Sequence, residues 1–251
     1  MSSAASSSRR FALLDSYRGF VILHMIAFHF LYDAFVLFGR NPSWYTQPGP
    51  HLWQQYICCS FILLSGWVSA YGRRHRFRRG LVVNLAGLLV TAVSLVCMPD
   101  MPVWFGVLNL LGCGMWLTAA LDRPLAKVSA PAGLAVSLSL FALLRHIATR
   151  RIMLGDWTLC RLPAWLYRSH WLVPFGLPPR GFASADYFPL LPWLFLYIAG
   201  YFLGRWVSEQ PFWNKLGQKQ FPPLSWLGRH SLLIYLLHQP LCYAICWLIW
   251  R

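Results

Sequence analysis

Long apolar segments recur along this chain, and they restrict what it can fold into. A helix of about 20 predominantly apolar residues crosses the hydrocarbon core of a bilayer, which is about 30 Å thick. Of the 251 residues, 57% are hydrophobic and 12% are charged, whereas soluble domains carry about 25% charged residues. We therefore predict an all-α, polytopic integral membrane helical bundle with about seven transmembrane helices. The predicted spans are 11–38, 54–72, 80–98, 103–121, 131–148, 187–206 and 230–250.

One further apolar segment, 157–178, is interrupted by charged residues and prolines, so we predict a re-entrant or interfacial segment there. The interrupting residues are Arg161, Pro163, Arg168, His170 and Pro174. No Gly/Ser-rich linker and no internal repeat divides the sequence, so residues 11–251 are predicted to form a single transmembrane domain. Residues 1–10, which are rich in serine, are predicted to be a disordered cytoplasmic N-terminus.

The distribution of basic residues predicts the orientation of the chain. A net charge of +15 would suggest nucleic acid as a partner of a soluble protein, but here Lys and Arg cluster between the apolar segments, as the positive-inside rule describes. Arg9, Arg10 and the run 73–79 place the N-terminus and the connection after the second span in the cytoplasm. Contact with cofactor phosphates is a second interpretation of that run. Segment 149–186 then lies on the opposite face, although it carries five arginines.

The first apolar segment contains four ionisable residues at helical spacing. Arg18 and His29 are eleven positions apart, which is about three helical turns, so both side chains lie on one face. Asp15 and Asp33 extend the same face, and ionisable groups at membrane depth mark functional sites or water-filled cavities. We expect His29 to act as a general base that Asp33 orients, and Arg18, tethered by Asp15, to bind a phosphate or polarise a carbonyl. The structural alternatives are an interfacial Asp15–Arg18 ion pair and an interhelical hydrogen bond for His29 with Asp33.

Other polar residues lie within or beside the later spans. His238 and Gln239 precede Pro240 inside the last span, where a proline frees a backbone carbonyl, so they are predicted to line a cavity. Asp186 is expected near the N-cap of the sixth span. Asn109 lies inside the fourth span, where an amide usually forms an interhelical hydrogen bond. The seven cysteines have no metal-site spacing, and the pairs Cys58-Cys59 and Cys242-x3-Cys246 are predicted to be packing residues.

Five groups of residues form ordered motifs over nearly the whole chain. They are Leu14-Asp15-Ser16-Tyr17-Arg18-Gly19 with Met25 and His29, Phe61-Ile62-Leu63-Leu64-Ser65-Gly66, Phe105-Gly106-Val107-Leu108, Asp186-Tyr187-Phe188-Pro189-Leu190-Leu191-Pro192-Trp193, and Leu227-Gly228-Arg229-His230-Ser231 with His238-Gln239-Pro240. Together they resemble the catalytic domain of the heparan-alpha-glucosaminide N-acetyltransferase family in its short single-domain form. The spacing from Arg18 to His29 is also similar to a motif of the wider transmembrane acyltransferase superfamily.

The resemblance implies a membrane-embedded acyltransferase. Such an enzyme moves an acyl group, here most simply acetyl, from cytoplasmic acyl-CoA to the amine or hydroxyl of a sugar or glycan at the opposite membrane face. Members related to the lysosomal enzyme use a histidine in the first luminal loop, so His51, in the predicted loop 39–52, is the alternative catalytic histidine to His29. Asn109 stands where many short members have His. The candidate donor-binding residues are Asp15, Arg18, Asn109 and Arg229, and the candidate acceptor-binding residues are Asp186, His238 and Gln239.

The expected molecular partners follow from the same resemblance. They are acetyl-CoA or another acyl-CoA as donor, a glycan or sugar as acceptor, and membrane lipid, with no metal and no nucleic acid; a homo-oligomer is left open. The short form favours a bacterial inner membrane, with the N-terminus in the cytoplasm. Two other functions compete: a proton-coupled small-molecule transporter, because buried Asp, His and Arg also suit a proton relay, and a lipid- or glycan-binding component without turnover.

Overall fold

The computed structural model describes residues 11–71 and 75–250, apart from the side chain of Asn214. The predicted disordered N-terminus, 1–10, lies outside the described residues. Most of the described chain is helical. The α-helices are α1 (Ala12–Tyr32), α2 (Pro48–Tyr71), α3 (Arg76–Cys97), α4 (Val107–Ala120), α5 (Asp122–Lys127), α6 (Ala130–Leu144), α7 (Leu190–Ser208), α8 (Trp213–Leu216), α9 (Pro222–Arg229) and α10 (Ser231–Trp250). Shorter elements comprise a π-helical turn (Asp33–Leu37), 3-10 helices (Pro42–Thr46, Ile147–Thr149, Ala164–Tyr167 and His170–Phe175) and strands β1 (Arg151–Leu154) and β2 (Trp157–Arg161).

Five helical segments of the described chain are long and apolar enough to cross a membrane, and each coincides with a predicted span. An integral membrane protein is therefore supported by the helices themselves. The five segments are Ala12–Leu37, Arg76–Cys97, Ala130–Thr149, Leu190–Ser208 and Ser231–Trp250.

The other two predicted spans are helical but differ from those five. Helix α2 has 24 residues, yet polar residues such as Gln54, Gln55 and Ser60 lower its hydropathy. Helix α4 has only 14 residues, which is shorter than the roughly 20 needed to cross the hydrocarbon core upright. The count of seven spans is therefore not confirmed.

The chain divides into two compact units, and helix α2 contributes to both. The first comprises the residues up to Phe61 together with Gln210–Arg251, and the second is Ile62–Glu209. In the first unit α1 packs against α9 and α10. A buried apolar cluster forms around α1, with Val21, Met25 and Phe28 from that helix and Ile57 from α2.

Glycine permits the close contact between α1 and α9. A methyl group on Gly228 would lie 1.9 Å from the carbonyl oxygen of Asp15, and one on Gly19 would lie 1.9 Å from that of Leu224. The backbones therefore approach directly, as small residues allow in membrane helix pairs. Buried Ser16 strengthens this contact, because its hydroxyl lies 2.7 Å from that of Ser225.

The second unit joins α3 to α4 and α6 to α7. Arg76, at the start of α3, donates from Nη1 to the Thr118 carbonyl oxygen at 2.7 Å and to Asp122 Oδ1 at 2.9 Å. These two bonds link the first turn of α3 to the C-terminal end of α4 and the start of α5.

The second unit also contains a β-hairpin that the all-α prediction missed. Strands β1 and β2 are antiparallel and pair Leu154 with Trp157 across Gly155-Asp156. A Gly-Asp pair between two short apolar runs is a hairpin signal. The prediction missed it because the apolar content of 157–178 was interpreted as one membrane-associated segment, so β2 was never separated from the 3-10 helices that follow.

Replacing Gly228 with alanine should destabilise the first unit. The added methyl group would overlap the Asp15 carbonyl oxygen and force α9 away from α1, which we expect to cost about 1–3 kcal/mol or more. Gly49→Ala is the matched control, because nothing lies within 4 Å of a methyl group at that position. Thermal unfolding in detergent should show a lower midpoint for Gly228→Ala only. Equal midpoints for both variants would show that the α1–α9 contact is looser than described.

Candidate active site

A polar cluster lies between α1 and α10 in the first unit. His29 belongs to the last turn of α1, and Asp33 begins the π-helical turn that follows it. His238 and Gln239 belong to α10. Asp33 is fully buried, with 0% of its surface exposed, and His238 is 7% exposed. Four residues predicted for two separate parts of the site, catalysis and acceptor binding, therefore meet in one place.

The two histidines are neighbours. Their ring centroids are 4.7 Å apart, with an angle of 70° between the ring planes. His238 Nδ1 lies 2.6 Å from the carbonyl oxygen of Tyr235. Because a carbonyl oxygen only accepts hydrogen bonds, Nδ1 carries the hydrogen, and in a neutral imidazole Nε2 then keeps a free lone pair. That Nε2 is buried and has no hydrogen-bond partner.

Asp33 has a different partner from the one predicted. Its Oδ1 accepts a hydrogen bond of 2.8 Å from Gln239 Nε2, while its Oδ2 is buried and without a partner. Gln239 also interacts with His29. Gln239, rather than a direct bond from Asp33 to His29, therefore connects the Asp33 side chain to His29. Residue spacing could not predict this bond, because the two bonded residues are 206 positions apart.

Unpartnered buried polar atoms are rare and need an explanation. Leaving such an atom unpaired costs about 1–3 kcal/mol, and more if it is charged. His238 Nε2 and Gln239 Oε1 are acceptors, and Asp33 Oδ2 is one whenever that carboxyl group is ionised, so together they fit a ligand or water molecule that donates N–H or O–H groups. Proton transfer to an imidazole is the chemistry that such a site can perform.

The other half of the predicted stripe forms an ion pair near the start of α1. Arg18 Nη1 lies 3.3 Å from Asp15 Oδ1, and 18% of the Arg18 side chain is exposed. This geometry agrees with the structural alternative for these two residues, an interfacial ion pair. A role of Arg18 and Asp15 in donor binding stays a prediction. Helix α1 is continuous from Ala12 to Tyr32, so Arg18 and His29 are about 16 Å apart along it.

His51 and Arg229 are both exposed, and neither joins the polar cluster. His51 was predicted in a loop, but α2 already begins at Pro48, so His51 lies in the first turn of a helix. A proline at a first helical position is common because its missing N–H needs no partner there. Arg229 is the last residue of α9. His24, also on α1, accepts a 3.0 Å hydrogen bond from Trp53 Nε1 and packs among aromatic rings.

Asp186 belongs to the second unit and caps a helix other than its own. Its Oδ2 accepts a 3.0 Å hydrogen bond from the backbone N–H of Val107, the first residue of α4. The expected N-cap on its own span is wrong, because α7 begins only at Leu190. Glycine at 106 makes the approach possible, since a methyl group there would lie 2.6 Å from Asp186 Oδ2.

The chain around Asp186 runs beside the chain before α4. Trp104 N–H donates to Ser184 Oγ at 2.9 Å, and Phe188 N–H donates to the Phe105 carbonyl oxygen at 3.0 Å. Two motifs that the sequence presents separately, one before α4 and one before α7, are therefore a single structural feature.

Asn109 is buried in the same unit, on α4, where α3 and α4 pack closely. A methyl group on Gly87 would lie 2.8 Å from its amide. One turn further along, Asn84 of α3 lies against Gly112 of α4 in the same way. Each asparagine thus occupies the space left by a glycine on the facing helix. Asn109 has a packing role there, and its assignment to the donor site stays a prediction.

Hydrogen bonds from tyrosine side chains to backbone carbonyl oxygens hold the long connection before α7 in place. Tyr187 donates to the Val173 carbonyl oxygen at 2.6 Å and Tyr167 to that of Ile147 at 2.5 Å. Burial raises the pKa of Tyr187 and that of Tyr167 above their ordinary values, and Arg150 acts in the opposite direction on the latter. Both hydroxyls therefore stay protonated at neutral pH and keep donating.

Apolar spans, with two neighbouring histidines between α1 and α10, define a polytopic membrane protein. Comparison with known families makes this specific, because the model of the family "Heparan-alpha-glucosaminide N-acetyltransferase, catalytic" matches residues 10–240. The chain belongs to that family, as its motifs predicted. Membership makes it a transferase of the membrane acetyltransferase type, and the family generally uses acetyl-CoA as donor. No curated protein and no solved structure matches the chain.

The described residues contain no group of three or more His, Cys, Asp or Glu side chains that could hold a metal ion. All seven cysteines are free, and two of them, Cys242 and Cys246, are buried on α10. Their thiols lie 3.8 Å from the carbonyl oxygens of Ile26 and Phe30 on α1. They pack the α1–α10 contact beside the polar cluster.

Replacing Asp186 tests whether this residue stabilises the fold or binds the acceptor substrate. Asp186→Ala removes the acceptor for the Val107 N–H, and we expect it to lower the free energy of unfolding by about 0.5–2 kcal/mol, as for other helix caps. Asp186→Asn keeps an acceptor oxygen and should retain most of that stability. Thermal or denaturant unfolding in detergent measures the difference. An unchanged stability in Asp186→Ala, with lost activity, would instead support the predicted acceptor-binding role.

Proposed function

We propose that this protein transfers an acetyl group from cytoplasmic acetyl-CoA to an amine or hydroxyl of a sugar or glycan at the opposite membrane face. The chemistry takes place at the cluster of His29, Asp33, His238 and Gln239. Family membership supports the class of reaction. The donor, the acceptor, the orientation in the membrane and a location in a bacterial inner membrane are part of the proposal.

One observation supports this assignment: three buried atoms of the cluster, Asp33 Oδ2, His238 Nε2 and Gln239 Oε1, have no hydrogen-bond partner. His238 Nε2 has a free lone pair because Nδ1 donates to Tyr235, and Asp33 Oδ2 lies in the same cluster. An amine or hydroxyl nucleophile presents the donors that these atoms lack. A proton must also leave that nucleophile when it attacks a thioester, and an imidazole lone pair is suited to accept it.

Each residue of the cluster has its own role in the proposed transfer. Acetyl-CoA supplies the acetyl group as a thioester. His238 Nε2 accepts the proton of the attacking N–H or O–H group as the new bond to the acetyl carbon forms and the carbon–sulfur bond breaks, and the thiolate leaves with the CoA. His29, whose ring faces that of His238, is the second candidate to take the proton or to carry the acetyl group. Asp33 holds Gln239 through their hydrogen bond, and Gln239 in turn interacts with His29, so Asp33 and Gln239 are proposed to position His29.

The donor is proposed to bind toward the start of α1. Arg18 remains partly exposed while Asp15 holds its guanidinium. A planar guanidinium pairs well with phosphate oxygens, so Arg18 is the residue proposed to contact the CoA phosphates. Asn109 and Arg229 are retained as weaker donor-site candidates. Oriented in this way, α1 would have its donor end in the cytoplasm and its histidine about three turns deeper.

Removal of either cluster histidine should abolish most of the acetyl transfer. We expect His238→Ala and His29→Ala each to lower the turnover of labelled acetyl-CoA by roughly 100- to 10,000-fold, the usual contribution of a general acid or base. The measurement is CoA release by purified protein at matched expression. His170→Ala is the matched control, because His170 is exposed and lies in the connection between spans, and its turnover should be unchanged.

The same assay tests the competing assignments. Loss of turnover in His51→Ala, with full turnover in His238→Ala and His29→Ala, would move the chemistry to the start of α2. Substrate flux without any CoA release would favour a proton-coupled transporter. Binding of a glycan with neither flux nor release would favour a component without turnover.

A further inference from the structure

An arginine-lined cavity of about 180 Å³ lies in the second unit. Its lining residues are Thr149, Arg150, Arg151 and Arg161. We refer to these residues as the arginine pocket. They come from the end of the span that contains α6 and from both strands of the hairpin.

The hairpin brings two positive charges together. The antiparallel register pairs Arg151 directly with Arg161, and like charges in directly opposed positions destabilise a strand pair. Among the residues that the structure describes, carboxylates pair with Arg76 and Arg18, and none forms an ion pair with Arg151 or Arg161. A bound anion would remove this repulsion.

The third arginine of the pocket is held rigidly. Arg150 donates from Nε and Nη2 to the Leu162 carbonyl oxygen, at 3.1 and 2.9 Å, and its guanidinium lies 5.9 Å from the centre of the Tyr167 ring. Its backbone has a φ of +65°, in the left-handed region that residues other than glycine seldom adopt. The two hydrogen bonds therefore support this turn from the span into β1, directly before Arg151.

The position of the pocket along the chain points to the lipid headgroups. The candidate span Ala130–Thr149 ends at the first pocket residue, and headgroups lie where spans end. Three tryptophans of the same connection are strongly exposed: Trp157 at 80%, Trp165 at 65% and Trp171 at 89%. Tryptophan is enriched at the membrane interface because its ring is apolar and its N–H is polar.

We propose that the arginine pocket binds the phosphate group of an anionic phospholipid headgroup. Guanidinium groups pair with phosphate through two parallel hydrogen bonds, and basic pockets at the membrane surface are suited to anionic headgroups. The exposed tryptophans then lie in the interface beside the bound lipid. This inference does not depend on the proposed acetyl transfer. It gives the arginines of segment 149–186 a function other than setting the orientation of the chain.

The test measures lipid binding by the full-length protein. Phosphatidylglycerol and phosphatidylcholine are each titrated into the protein in neutral detergent, and native mass spectrometry measures the affinity for each lipid. We expect tighter binding of phosphatidylglycerol, and we expect the double variant Arg151→Gln/Arg161→Gln to weaken it roughly 10- to 30-fold, at about 1 kcal/mol for each basic residue. Arg151→Lys/Arg161→Lys keeps the charge and should retain most of the preference.

Arg168→Gln is the matched control, because Arg168 is an exposed arginine of the same connection that does not line the pocket. It should bind phosphatidylglycerol as the wild type does. In neutral detergent without added lipid, no variant should have a lower unfolding midpoint than the wild type, because the glutamine pair removes the repulsion between the opposed arginines. This separates lost binding from lost structure. If the unfolding midpoint of Arg151→Gln/Arg161→Gln falls, the lipid affinity of Arg151→Lys/Arg161→Lys is compared with that of the wild type instead.

Several outcomes would overturn the proposal. One is equal binding of phosphatidylglycerol by the wild type and the glutamine variant. Another is equal binding of phosphatidylcholine and phosphatidylglycerol by the wild type. Displacement of the lipid by millimolar inorganic phosphate would identify a site for free phosphate rather than for a headgroup. Displacement by micromolar acetyl-CoA would assign the pocket to the phosphates of the donor.

Discussion

A polar atom within the hydrocarbon core finds no water to bond, so it must find a partner inside the protein. Much of this fold satisfies that requirement locally. Ser16 and Thr118 bond to carbonyl oxygens of their own helices, and Asn84 donates to Gly80 one turn earlier. Three of the buried atoms without a hydrogen-bond partner, Asp33 Oδ2, His238 Nε2 and Gln239 Oε1, belong to one cluster, and the substrate of the proposed reaction would supply the donors that they lack.

Close backbone approach is the second constraint, and glycine provides it. Gly228 lets α9 lie against α1 at Asp15, and Gly106 lets Asp186 reach the N-terminus of α4. Small residues matter more between membrane helices than in water, since lipid is as apolar as the side chains and the hydrophobic effect gives little drive to associate. Packing and hydrogen bonds therefore determine which faces meet, and the polar residues on those faces are brought together as a result.

The polar residues of the cluster could be identified from the sequence, but their partners could not. His29 and Asp33 are one turn apart on a helix, which the spacing shows directly. His238 and Gln239 were conspicuous because a proline follows them in an apolar span. That Gln239 bonds to Asp33, and that His238 faces His29, depends on how α10 packs against α1. The same limit explains Asp186, which was expected on its own helix and instead caps α4, because the cap depends on a contact between two distant connections.

The sequence by itself determined the membrane class, the position of five spans and the family. The reason is that the length of each apolar segment and the order of the motifs follow from the order of the residues alone. It also determined which residues are costly to bury. The tertiary structure decided which of these residues share a site, how short α4 is, and that two arginines oppose each other across a hairpin. The physical reason is that residue spacing fixes neighbours only within one helix or strand, whereas contacts between elements depend on the packing of their surfaces.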